Sequence, residues 1–146
     1  LNTRKEKRMN ALKALLFVLV MAVSGTAAAR ASEPVLSVSE VPLFSASGKS
    51  LSTKQVKQAI HKAAESKKWT LVDQADGKIL GSLSWRNGHH SISVEIVYSG
   101  KNFSIFYKDS QNMKYEVLNG VPSIHPFYNK YVRELNDAIM TELAKS

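Results

Sequence analysis

The sequence predicts an α+β fold: a two-layer sandwich in which an antiparallel meander of four to five strands carries two helices on one face, in the order α-ββββ-α. Three observations predict it. Apolar residues recur at helical spacing near residues 53–67 and again at 126–143. Between them, apolar and polar residues alternate with period two. The short turns that interrupt this alternation have the lengths that keep one apolar face in register.

The elements follow in chain order. Arg4, Lys5, Lys7, Arg8 and Lys13 precede an uncharged apolar run from Ala14 to Val23, and small residues follow up to Ala29-Arg30-Ala31. This is the order of a cleavable secretory signal, expected over residues 1–31, with cleavage after Ala31 or Ala29 and a start at Leu1 or Met9. A transmembrane helix needs about 20 apolar residues, and the run is shorter. The expectation is therefore export to the periplasm, with no stable membrane anchor after cleavage.

Removing the leader changes the electrostatic reading. The chain carries a formal charge of +8, but six of its 20 Lys/Arg and one of its 12 Asp/Glu precede Ser32. The remaining charges are interspersed, without the like-charge run of a nucleic-acid-binding arm, so no nucleic-acid partner is expected. The absence of cysteine excludes disulfides, thiolate catalysis and thiolate-bound zinc.

Residues 32–51, with Pro34, Pro42, Gly48 and many Ser, read as an extended leader that packs in part on the domain. Residues 52–146 read as a single domain. Ser52-Thr53-Lys54-Gln55 is a capping box, and Val56, Ala59, Ile60, Ala63 and Ala64 form one apolar stripe behind it. After Trp69 the period becomes two. A two-residue turn at Asn87-Gly88 pairs Trp85 with His90 and Ile79 with Ile96, and a turn at Gly100-Lys101 pairs Tyr98 with Phe103. A three-residue loop, Ala75-Asp76-Gly77, brings Trp69 and Leu71 to the same face. Met113, Tyr115 and Val117 are the candidates for a fifth strand, and Asn119-Gly120-Val121-Pro122 reads as a chain break. His125 then stands as the cap of a second helix with Pro126 at its first position. The opposite sheet face, with Ser82, Ser84, Ser91, Ser93, Glu95, Ser104 and Lys108, should be wet.

No constellation carries obvious chemistry. His89 and His90 are adjacent on a strand and point to opposite faces, so they do not share a metal. No nucleophile elbow, paired carboxylates or phosphate loop stands out, so the chain reads as not an enzyme, with no metal site and no cofactor implied. The aromatic residues suggest two candidate sites. One is a small cleft where the second helix meets the sheet, lined by Tyr107, Tyr115, His125 and Tyr128. The other is a contact patch of Leu80, Val97 and Phe106 on the otherwise polar face.

Trp69, Gly77-Lys78-Ile79, Val94-Glu95-Ile96-Val97-Tyr98, the stretch from Ser104 to Tyr115 and Ile124-His125-Pro126-Phe127-Tyr128-Asn129-Lys130-Tyr131 give the chain a pattern that resembles a family of small uncharacterised exported proteins and lipoproteins of proteobacteria. The resemblance covers most of the chain beyond the leader and implies the envelope address and the fold, with no activity to carry over. Many members keep a lipid-acceptor Cys, and this chain has none, which sets it apart from the anchored ones. The expectation is a soluble periplasmic binding or interaction module with an envelope protein or cell-wall component as partner. The alternative is a small-ligand or metal-binding protein using the Tyr/His cleft.

Overall fold

The structure is a computed structural model and describes residues 31–146. The expected export signal, apart from Ala31, lies outside the described residues. In chain order the elements are β1 (Glu33–Pro34), β2 (Val38–Pro42), α1 (Thr53–Ser66), β3 (Thr70–Asp73), β4 (Lys78–Trp85), β5 (His90–Tyr98), β6 (Asn102–Gln111), β7 (Glu116–Leu118), β8 (Val121–Ile124) and α2 (Pro126–Ala144). They build an α+β fold with two antiparallel sheets. The larger has the order β2-β6-β5-β4-β3, the smaller β1-β8-β7.

The capping box starts α1. The Ser52 hydroxyl accepts from the Gln55 N–H at 3.2 Å, and the Gln55 side chain accepts from the Ser52 N–H at 2.9 Å. The helix ends without glycine. Lys68 takes the left-handed conformation (φ 63°), its N–H bonds the Glu65 carbonyl, and the Trp69 N–H bonds the Ala64 carbonyl. That is a Schellman closure with a lysine where glycine is usual, and it drops Trp69 into the core.

The meander has the expected register. Ile79 faces Ile96, Leu83 faces Ile92, Trp85 faces His90 and Tyr98 faces Phe103. Asp73 pairs with Ile79 around Ala75-Asp76-Gly77, with Gly77 at φ 77°. The inner face then meets both helices, and the core combines Val56, Ile60 and Ala63 of α1, Val132, Leu135 and Ile139 of α2, and Ile79, Ile92, Val94, Ile96, Phe103 and Ile105 of the sheet.

Three features differ from the sequence reading. The fifth strand of the large sheet is β2, from the segment read as a leader, and not residues 113–117. A bulge at Ser39-Glu40 lets the Glu40 N–H donate to the Ser104 hydroxyl at 2.9 Å, so Ser104 is buried where a wet surface was expected. Met113 is a buried loop residue, while Glu116–Leu118 pairs with β8 in the small sheet. Asn119-Gly120 does not break the chain. Both residues have positive φ (51° and 80°) and join β7 to β8, pairing Leu118 with Val121.

The N-terminal segment is pinned by Asn129, a buried amide on the apolar side of α2. Its Oδ1 accepts from the Leu36 N–H at 2.9 Å, and its Nδ2 donates to the Pro34 carbonyl at 2.9 Å and to Glu33 Oε2 at 3.2 Å.

Candidate functional site

The β5–β6 ladder carries an irregularity just beyond the aromatic residues of β6. Val94 faces Tyr107 and Ser93 faces Asp109, so Lys108 is an extra residue on β6. Up to Tyr107 the strand presents Ile105 and Tyr107 inward and Phe106 outward; beyond Lys108 the parity reverses. β2 covers the edge of β6 only as far as Ile105. Past that point the edge is open, and the chain at Pro34–Ser37, the start of β8 and Tyr115 close around it.

The result is a groove of about 350 Å³ whose lining includes Phe106, Tyr107, Tyr115, Val35, Val121 and Pro122. Tyr107 and Tyr115 stack face to face, 4.7 Å between centroids and 3° between planes. The Tyr107 hydroxyl is 2.9 Å from the Ser110 hydroxyl, and partial burial raises its pKa. The Tyr128 ring meets Tyr107 edge-on at 5.5 Å, but Tyr128 is fully buried. Its hydroxyl has no hydrogen-bond partner among the described residues, and burial pushes its pKa far above the usual tyrosine range.

The four residues expected to share a cleft therefore divide. Tyr107 and Tyr115 line a groove, Tyr128 fills the core behind Tyr107, and His125 belongs elsewhere. His125 caps α2, with its Nδ1 accepting from the Phe127 N–H at 3.2 Å, and it lines a separate pocket of about 150 Å³. Metal ligation gains nothing from this arrangement: among the described residues no three His, Asp or Glu side chains converge.

The expected contact patch is joined across the open sheet face. Leu80 pairs with Glu95 and Glu95 with Phe106, while Val97 lies next to this row opposite Ser104. Leu80 and Val97 are half-buried and Phe106 is 37% exposed, at the rim of the groove. Val72, opposite Leu80 on the edge strand, extends the row and is 56% exposed.

Four of the exposed large apolar residues lie on or beside the β7–β8 hairpin: Val117, Leu118, Val121 and Tyr115. Val117 pairs with Pro122 on one face of this hairpin and Leu118 with Val121 on the other. Both faces of the tip are thus apolar, whereas the wet face of β4 and β5 is lined with serine. The signal for the hairpin was present in Asn119-Gly120, the same turn dipeptide as Asn87-Gly88. His61, on the solvent side of α1, meets Asp73 at 2.8 Å. Asp73 also pairs with Lys57, and Lys57 first and His61 second hold its carboxyl below the usual range.

No protein-family model, curated protein or solved structure matches this chain.

Proposed function

We propose that the domain is a non-catalytic binding module of the cell envelope that grips an extended, apolar segment of a partner protein with the β7–β8 hairpin and the adjoining aromatic groove. The observation that carries this reading is the exposure of Tyr115, Val117, Leu118 and Val121 on and beside one hairpin, with Phe106, Tyr115 and Val121 lining the groove next to it. Exposed apolar residues scattered singly need no explanation, whereas a contiguous cluster on a strand pair marks a contact surface.

The chemistry of the edge favours an extended polypeptide. β7 is the outer strand of its sheet, and Val117 sits opposite Pro122 in the second pair from the turn. In a two-residue hairpin that second pair is not hydrogen-bonded across the ladder, so the Val117 N–H and C=O face outward. A partner strand completes them while its side chains enter the groove. Export through the leader at residues 1–31 and work in the periplasm remain part of the proposal, supported by the charge and apolar pattern of that segment.

The test passes envelope extract over the immobilised protein and over the double variant Val117→Asp, Leu118→Asp. A protein held by the wild type and lost from the variant, at unchanged melting temperature, supports the reading. Equal retention by both, or retention of the chain itself as the sole species, contradicts it.

A further inference from the structure

We infer that the pocket between the β4–β5 turn and the start of α2 is a second, independent site that binds a small carboxylate with a flat apolar body, such as an aromatic acid. It lies apart from the hairpin groove: none of the residues that line one lines the other.

Trp85 and Phe127 supply its apolar walls and the buried Met113 part of its floor, and Arg86 is exposed at its rim. Its volume is about 150 Å³. A dry cavity of about that size takes up benzene. The charged and titratable groups of the lining are Arg86, His90 and His125, and no Asp or Glu is among them. The site therefore favours an anion over a cation. Arg86 has no carboxylate partner among the described residues, and a guanidinium matches a carboxylate with two parallel hydrogen bonds.

The walls are held before any ligand arrives. The Asn112 side chain donates to the His89 carbonyl, and the Asn112 carbonyl accepts from His90 Nδ1 at 3.1 Å. The carbonyl only accepts, so the proton of His90 is on Nδ1 and its Nε2 is an acceptor when the ring is neutral. Met113 follows Asn112, and its carbonyl takes the His125 N–H at 2.8 Å. Trp85 stacks on the His90 ring at 5.5 Å and 15°, which fixes the angle of both. Arg86 (φ 52°) and Asn112 (φ 56°) are both in the left-handed region. Arginine rarely adopts it, and here it carries Arg86 at the β4–β5 turn to the rim of the pocket.

The test titrates the protein with benzoate and with its uncharged analogue benzamide, followed by calorimetry and by the NMR shifts of the Trp85 indole and the His90 ring. The expected result is benzoate binding that moves both signals and weakens about tenfold or more in Arg86→Gly, with benzamide binding weakly to both proteins. Glycine suits the backbone at this position, so the variant should fold; Arg86→Asn, also tolerant of positive φ, is the second variant if it does not. Three results would each overturn the proposal: no benzoate binding, binding unchanged by loss of the guanidinium, or benzamide binding as tightly as benzoate.

Discussion

Two buried side chains set the local balance of stability in opposite directions. The Tyr128 hydroxyl is enclosed without a partner among the described residues. An unsatisfied buried hydroxyl costs about 1–3 kcal/mol, so Tyr128→Phe should stabilise the fold by about 1 kcal/mol in urea denaturation. The same residue shapes the alkaline limb. Its folded pKa is raised from 10.0 by burial, so its contribution is complete below pH 10 and drains as the pH rises beyond that, where only the unfolded chain ionises. Stability should therefore fall as the pH rises above about 10, and less steeply in Tyr128→Phe. Asn129 is the reverse case, because all of its polar atoms are used. Asn129→Ala should cost about 2–3 kcal/mol and expose the backbone amides of residues 33–36 to hydrogen exchange. A single amide within the stripe Tyr128, Val132, Leu135 was a readable sign of something to be bound there. What the sequence did not disclose was that its partners lie more than 90 residues away.

Turns explain most of what could and could not be read at the level of elements. Asn87-Gly88, Gly100-Lys101 and Ala75-Asp76-Gly77 each have a length that fixes strand parity, and the four-strand core of the large sheet followed from them. Asn119-Gly120 carried the same information, but Pro122 argued against a strand. Opposite Val117, that proline lacks an N–H at a position that does not use one within the hairpin, while its carbonyl accepts from Val35. The bulges at Glu40 and Lys108 left no mark in the alternation of apolar residues; the first decided the burial of Ser104, and the second reversed the faces of β6 beyond Tyr107. The end of α1 yields a prediction of its own. Lys68 bears the steric cost of a left-handed residue, so Lys68→Gly should raise stability by roughly 0.5–1 kcal/mol. Gly77 is the opposite case. A Cβ there would stand 3.0 Å from the Tyr98 carbonyl oxygen, and Gly77→Ala should destabilise by more than about 1 kcal/mol.

Taken as a molecule, the domain places its apolar surface unevenly. One sheet face is sealed by α1 and α2, and the other is mostly serine with a half-buried row through Leu80 and Val97. The hairpin tip is apolar on both of its faces, and among the described residues nothing buries it. The sequence placed Tyr107 and Tyr115 in one cleft, and they do line one groove; its position was not legible, since it depends on where β2 stops. Because Val117 and Leu118 are exposed, Val117→Asp with Leu118→Asp should leave the melting temperature nearly unchanged. The most direct measurement of the central claim places a photo-cross-linking amino acid at Val117 in growing cells, with Ser84 on the wet sheet face as the comparison site. The expected result is one discrete adduct with another protein from Val117, abolished by Leu118→Asp, and none from Ser84. Adducts of equal yield from both positions, or none from Val117, would contradict it.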